Sequence, residues 1–476
     1  MEEKKIIDIA GSGIDGQNKC PKCGATDISL NEKTGELRCN FCRHTFMAEA
    51  LEDMKSGVGD LTGEQIGSGA VDIDKNAETM VTLKCSSCGA EVVVDLSEST
   101  HARCHWCRNT LSINSKVPNG AVPDVVLPFK MKKEEAKQRI EDYVGQRKFF
   151  ANKRFKSEFS TENVMGVYFP YMLVDMKGHA TFTGYGEHEK DSYKVTEGSG
   201  DDKTEKTVYI VEGYDVKREC DVEIDDLAVE SSSRRAGASQ VNETNNIINA
   251  ILPFDTENCV KYDANYLKGY TSEKRDTNKS DLQEIVDSQE QEAVKFALND
   301  TLEHYDRGVE WKSINIEKQG EKWLAAYLPV WLYSYVENAG TSKALTHYVA
   351  VNARTSETIG SVPLNKSRIG SFTAMIGAII AAVLLGYFAW SSPGLEVKEL
   401  AISVGVAAII AFAYFSSIYN KYRNVNERHY FEEETKIELK NIQKEDNYKK
   451  KYETKDAVLL DANNRDVNIV KLDGKH

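Results

Sequence analysis

Eight of the ten cysteines fall into four C-x-x-C pairs, and no other feature restricts the fold of this chain as tightly. Cys20 and Cys23 are followed after fifteen residues by Cys39 and Cys42, and Cys85 and Cys88 are followed at the same spacing by Cys104 and Cys107. The two units repeat with an offset of 65: KCPKCGA matches KCSSCGA, and CNFCRHTF matches CHWCRNTL. Each C-x-x-C makes a tight turn that aims two thiolates at one ion, and two such turns make the ligand set of a zinc ribbon. Gly24 and Gly89 stand just after the first pair of each unit, where that turn calls for positive φ. Residues between the pairs alternate apolar and polar (ISLNEKTGELR, EVVVDLSESTHAR), which predicts a short hairpin in each unit. Four thiolates fill a tetrahedral shell, so the expected cofactor is two structural Zn2+ ions with no open position for catalysis.

Competing readings of the cysteines fare worse. The N-terminal run MEEKKIIDIAGSGIDG has no apolar segment of the signal-peptide kind, so the chain is expected to start in the cytoplasm, where a disulfide framework does not persist. A thioredoxin-like dithiol needs one C-x-x-C in a βαβ setting, not four in matched sets. His44 and His105 lie beside cysteine pairs, but each site already has four ligands, so they are expected at the surface. Trp106, inside the CHWC knuckle, is expected to pack a very small core. Cys220 and Cys259 have no partner motif and read as core residues.

The net charge of −14, from 60 basic and 74 acidic residues, argues against a protein that coats nucleic acid. The ribbons themselves are near neutral. From Lys19 to Arg43 there are five basic and three acidic residues, and from Lys84 to Arg108 three of each. Neither is the basic stripe that phosphate binding requires.

Two uncharged apolar runs, Ser371–Trp390 and Leu400–Tyr419, each have the length that crosses about 30 Å of hydrocarbon. The nine residues SSPGLEVKE join them, and aromatic residues cluster at their ends. Lys366 and Arg368 precede the pair and Lys421 and Arg423 follow it, so the positive-inside bias puts both flanks in the cytoplasm. Neither run contains an ionisable residue of the kind an ion path uses, which reads as an anchor in the cell membrane. Ala374, Ala378, Ala382 and Gly386 form a small-residue stripe suited to close helix packing, within the hairpin or between protomers of a homo-oligomer.

Between ribbons and hairpin, VVLPFK at Val125–Lys130 resembles AILPFD at Ala250–Asp255, and GVYFPYMLVDMKGHATF from Gly166 resembles AAYLPVWLYSYVENAGTSKA from Ala325. The economical reading is a duplicated α+β body in which a strand leads to a helix (MKKEEAKQRIEDYV; SDLQEIVDSQEQEAVKFALNDTLEHY) and strands follow. HYVAVNARTSETIGSVPL reads as a hairpin with NARTSE as its turn. The charged segment from Asn420, with both signs mixed, reads as a solvated helix continuing the second span.

The fold class is therefore multidomain: two small β zinc ribbons, a duplicated α+β cytoplasmic body, and a two-helix transmembrane hairpin with a helical C-terminal tail. The boundaries are 1–17 for an N-terminal segment, 18–46 for ribbon 1, 47–82 for a flexible linker and 83–113 for ribbon 2. The repeats take 124–249 and 250–366, the spans 371–390 and 400–419, and the tail 420–476. Catalytic motifs are absent: there is no G-x-x-x-x-G-K-[ST], no G-x-S-x-G and no H-E-x-x-H. Gly11, Gly13 and Gly16 spell G-x-G-x-x-G, but a ribbon rather than a helix follows, so the match reads as chance. His179 and His188 stand beside acids in ordinary surface contexts. No enzyme is expected.

The order of these pieces (ribbon, VLPFK strand, YFP/YLP repeat, VNARTSETIGSVP, two-span hairpin) resembles the TFIIB-type zinc-ribbon-containing membrane proteins of Gram-positive bacteria, from Cys20 to about Tyr419. That family carries one ribbon where this chain has two. The resemblance implies association with phage-shock and flotillin-like (SPFH) membrane-stress systems. The function it implies is a membrane-anchored scaffold that docks protein partners at the cytoplasmic face. The alternative is a membrane-tethered, nucleic-acid-binding transcriptional regulator, which the ribbon charge speaks against.

Overall fold

A computed structural model describes residues 5–7, 20, 22, 28–30, 36–46, 57–73, 80–84, 91–95, 102–103, 110–111, 122–197, 204–232, 251, 253–262, 264–267, 270–272, 275–338, 345–391, 397–423, 436–456 and 458. Short strands come first: β1 (Lys5–Ile7), β2 (Ile28–Leu30), β3 (Leu37–Cys39), β4 (Thr45–Phe46), β5 (Gly63–Gly67), β6 (Met80–Lys84), β7 (Glu91–Asp95), β8 (Ala102–Arg103), β9 (Thr110–Leu111) and β10 (Val125–Val126). Helices α1 (Lys133–Gly145) and α2 (Lys153–Glu158) lead to the long strands β11 (Met165–Glu197) and β12 (Thr204–Glu230). β13 (Val260–Lys261), β14 (Thr271–Ser272) and α3 (Lys279–Ala297) precede β15 (Gly308–Glu337), β16 (Leu345–Asn352) and β17 (Thr358–Gly360). The apolar helices α4 (Lys366–Ser391) and α5 (Val397–Arg423) and a last strand β18 (Lys436–Thr454) complete the order.

The body is built on a half-barrel sheet whose main path runs β1-β5-β15-β11-β12-β18. The apolar run VYFPYMLVDM makes β11 the spine because both of its faces are covered, which is what a near-continuous hydrophobic strand requires. Phe169, Tyr171 and Leu173 pack with Leu324, Ala326 and Leu328 on one face. Met172, Val174 and Met176 pack with Leu282, Val286 and Val294 of α3 on the other. α3 starts where Asn278 and Asp281 cap each other's backbone N–H in a capping box.

The duplication has a geometry that the sequence match only partly anticipates. β11 and β15 pair antiparallel about Phe169↔Leu328, with Tyr168↔Pro329 and Pro170↔Tyr327 on either side, a local two-fold relation between YFP and YLP. The leading strands are exchanged: β10 pairs with β15 at Ala326–Tyr327, and β14 pairs with β11 at Val167–Tyr168. The return strands are exchanged in the same way. Lys130 and Met131 donate to Ala353 O, Asp276 and Thr277 donate to Ser231 O, and Ala353 and Ser231 donate to Pro329 O and Pro170 O. The counterpart of Val125 is thus Thr271, not Ala250, and the second unit starts about twenty residues later than the LPFK/LPFD match places it. Residues 253–255 instead form a brace, with the Asn352 amide donating to Ile251 O and Pro253 O and Arg354 paired with Asp255.

Three further expectations need correction. The tail is a strand, not a helix: β18 runs antiparallel along β12 from Tyr209↔Thr454 to Asp225↔Lys436. Its inward residues Ile437 and Leu439 touch the core, and the buried Arg218 grips Asp446 with both carboxylate oxygens at 2.6 and 3.2 Å. Part of the 47–82 linker belongs to the body: β5 pairs parallel with β15, and β1 pairs with β5. Asp124 holds the following turn by accepting from Gly69 N–H at 2.7 Å, Ala325 N–H at 2.9 Å and Ser68 at 3.2 Å. Burial pushes the Asp124 carboxyl up to about 6. A side chain at Gly69 would meet Val122 O, so only glycine closes this turn. The helix expected through 280–305 ends at Ala297, since a 3-10 turn at Asn299–Thr301 and the bend into Gly308 (φ 104) redirect the chain.

The hairpin Leu345–Gly360 forms as its sequence predicts, with Asn352 Oδ1 accepting from the N–H groups of Arg354 and Thr355 in the turn. α4 and α5 are long and apolar enough to cross a membrane, over Lys366–Trp390 and Ala401–Tyr422. They approach each other through Gly377, where a Cβ would lie 3.4 Å from the Ala411 methyl. Ala374, Ala378, Ala382 and Gly386 are all exposed, so the small-residue stripe faces away from α5 and does not serve the hairpin's own packing. Tyr422 is buried in the body: Val362 N–H donates to its carbonyl, and its hydroxyl accepts from Phe150 N–H at 3.0 Å.

Candidate metal centre

The segment expected to be the first ribbon contains a three-stranded sheet, β2-β3-β4, in which Ile28↔Cys39 and Leu37↔Phe46 set the register. The hairpin expected between its cysteine pairs is β2–β3. β3 delivers Cys39 and the turn to β4 delivers Cys42. The Cys42 N–H lies 3.5 Å from Cys39 Sγ, Arg43 N–H donates to Cys39 O, and Cys39 N–H donates to His44 O. Arg43 takes φ 63 immediately after Cys42, so this knuckle uses positive φ at the position that Gly24 occupies in the first pair. The His44 ring stacks on Phe46 at 6.2 Å.

Cys20, Cys39 and Cys42 bring their sulfurs within 4.8 Å of one another, with Cys20 Sγ 3.5 Å from Cys42 Sγ. Tetrahedral zinc with Zn–S near 2.3 Å separates its sulfurs by about 3.8 Å, so the donor set and its size fit the ion. Cys23, the fourth expected ligand, lies outside the described residues. Leu37 is buried beside these thiols and joins the body core that contains Tyr266 and Leu267, so the ribbon is seated on the body at the Ala264–Leu267 turn. The middle of the knuckle points the other way: Phe41 is 80 % exposed, between the exposed Arg38 and Arg43.

Of the second ribbon's ligands, Cys85, Cys88, Cys104 and Cys107 lie outside the described residues, as do His105 and Trp106. The strands around them are described. Ala102↔Leu111 and Arg103↔Thr110 repeat, at the 65-residue offset, the register Leu37↔Phe46 and Arg38↔Thr45. β7 pairs with β6, which runs up to Cys85, rather than with the strand leading to Cys104. At the position matching Trp106 the first unit has Phe41, which is exposed.

The sequence did not single out an acidic trio in the body, Asp175, Asp225 and Asp226, whose carboxylates lie within 4.8 Å of one another. Asp226 sits at φ 57 beside the bulge at Val174/Met176. Asp175 accepts from Asp226 N–H at 2.9 Å and pairs with Lys322 at 3.1 Å, while Asp226 accepts from Thr256 at 2.6 Å. Burial, and then the neighbouring Asp175, push Asp225 up to about 6 and Asp226 up to about 7. Two of the carboxyls are thus shifted towards their protonated forms, and Lys322 is paired with the third. The one available signal was the DD pair interrupting the apolar alternation of VEIDDLAVE.

Cys220 and Cys259 are buried core thiols, and burial raises them, Cys220 to about 11. His179 bridges Asp221 at 2.8 Å and Glu219 at 3.2 Å on a half-buried strand face, and His188 stacks on His304 at 4.4 Å. No protein-family model, no curated protein and no solved structure matches this chain.

Proposed function

We propose that this protein is a membrane-anchored zinc-ribbon scaffold that holds protein partners at the cytoplasmic face of the membrane. The observation that carries the proposal is the way the body is tied to the apolar hairpin. Strands from before and after α4 and α5 share one sheet, and Tyr422 is bonded into the body, so whatever the body holds is held at the bilayer. That arrangement also supports a two-span topology with both flanks on one side. The basic flanking residues Lys366, Arg368, Lys421 and Arg423 make that side the cytoplasm.

In this reading two Zn2+ ions, each in a shell of four thiolates, supply rigidity. Phe41 offers a partner the kind of exposed aromatic anchor that concentrates binding energy. The outward Ala374–Gly386 stripe suits a second copy of the hairpin. Partners of the flotillin-like or phage-shock kind fit the resemblance. One observation favours the regulator reading instead: an exposed aromatic flanked by Arg38 and Arg43 is also what stacks on a base.

The test is an affinity pull-down of full-length protein from detergent-solubilised native membranes with zinc retained, comparing the native chain with Phe41→Ala. Stoichiometric recovery of a membrane-stress partner, lost in the variant, supports the scaffold. Recovery of polymerase subunits or nucleic acid in its place transfers the function to the regulator.

A further inference from the structure

We infer that the body carries an anionic-lipid-binding face where α4 and α5 leave it, built from the loop after α1 and the roots of both helices. The inference rests on the membrane reading of α4 and α5 and adds a ligand class to it. Basic residues next to a span are explained by topology alone. That explanation does not extend to residues from a different part of the chain. Residues 143–157 carry five basic and no acidic side chains in a chain with 14 more acids than bases, and of the five Arg154 is paired with Glu158. The fold brings this segment, more than two hundred residues away in sequence, against the helix roots. Asn365 N–H donates to Phe150 O, Ala151 bridges to Leu364, and Arg147 Nε donates to Lys421 O at 3.1 Å.

The loop points an aromatic ring outward at this level. Phe149 is 51 % exposed although Phe150 beside it is buried. It packs edge-on against Phe372, in the second turn of α4, at 5.6 Å, and Arg368 lies over its ring at 4.3 Å. An exposed aromatic at the first turns of an apolar helix stands at headgroup depth. Lys148, Arg368 and Lys421 are exposed around it, and among the described residues none of the three is in an ion pair. Arg147 is occupied in capping α5, so it positions the loop. The occupant that matches free cations around an interfacial ring is the phosphate of an anionic glycerophospholipid in the same leaflet, each cation contributing about 1 kcal/mol, or roughly five-fold in retention.

The experiment uses full-length protein in detergent, incubated with equimolar phosphatidylglycerol and phosphatidylcholine, and reads retained lipid by native mass spectrometry. Native protein is expected to enrich phosphatidylglycerol at least five-fold, K148Q/R368Q to lose most of that enrichment, and K148R/R368K to keep it. Equal retention of the two lipids by native protein overturns the inference, as does undiminished enrichment in K148Q/R368Q. Enrichment abolished by millimolar glycerol 3-phosphate overturns it in favour of a soluble phosphate ligand. Carbonate extraction of the native protein from vesicles separates the two levels. Release into the supernatant defeats the membrane reading and this inference together, whereas retention without lipid preference defeats the lipid face alone.

Discussion

Around the first set of thiols the described residues bury Cys20, Leu37 and Cys39, and Leu37 already joins the body's core, whereas the body closes over Trp323, Phe169, Tyr171 and Phe182 in extended apolar clusters. A three-stranded sheet with strands of two or three residues has little core of its own to meet its ordering cost, which is where the proposed zinc would contribute. The body is different: backbone ladders and packed apolar side chains hold it, and it also buries charge. Lys318 sits among Asp287, Glu290 and Glu321 at 2.6–2.8 Å, and Lys279 ties Glu321 to Glu64 of β5. The contrast separates what a chelator reaches from what a side-chain substitution reaches.

The sharpest way to break that contrast is to remove the zinc that the thiols are proposed to hold. Chelation, or Cys39→Ser, is expected to cost the ribbon on the order of 10 kcal/mol and to erase hydrogen-exchange protection at Leu37–Cys39, while protection along β11 stays. A ribbon that keeps its protection without zinc collapses the distinction. The body's counterpart is Lys318→Met. Burial leaves Glu290 at about 7, and Lys318 with Lys279 holds Glu321 down at about 2 against burial, so removing the lysine is expected to cost about 3–5 kcal/mol in urea unfolding with zinc content unchanged.

Arg218→Ala tests the last strand. Loss of the two-oxygen grip on Asp446 is expected to cost about 2 kcal/mol and to open residues 436–454 to protease before the rest of the sheet. Asp226→Asn sharpens the picture through pH. The folded carboxyl binds its proton up to about 7, against 3.8 when unfolded, so native stability falls as pH rises from 4 towards 7. The variant is expected to flatten that slope and to gain on the order of 2 kcal/mol at pH 8, read as a melting curve at each pH. Smallest is Arg43→Gly, which relieves φ 63 in the knuckle and is expected to stabilise the zinc-loaded ribbon by about 1 kcal/mol, with the body's melting point unmoved.

Local chemistry was legible from the chain. The C-x-x-C spacing picked out the three described thiols that meet, Cys20, Cys39 and Cys42, the apolar runs identified α4 and α5, and NARTSE identified a turn. What sequence reading missed was pairing at a distance. KIELKNIQKEDNYKKKYET satisfies a helix's charge pairing, yet mixed charge is also how an exposed edge strand deters a further strand, and the alternation shows only at its ends, at Ile437 and Leu439 and at Tyr452 and Thr454. Residues 57–73, rich in glycine, read as a linker because their partners lie near Asp124 and Gly320, far along the chain. The second repeat was placed at Ala250 because LPFD resembles LPFK, whereas the exchange of leading strands puts an unlike sequence, Thr271–Ser272, in the matching position.

The placement of β18 sets a timetable for biogenesis. Its partner β12 is made more than two hundred residues earlier and waits with one edge bare while the ribosome produces everything from α3 through α5 and the segment beyond, about ten seconds or more at roughly 5–20 residues per second. Only when both helices have been synthesised and the chain has come back to the body can Asp446 reach Arg218. The closing of that edge thus records that both apolar helices have been made, and a chain cut short before Lys436 is left with β12 as an open edge.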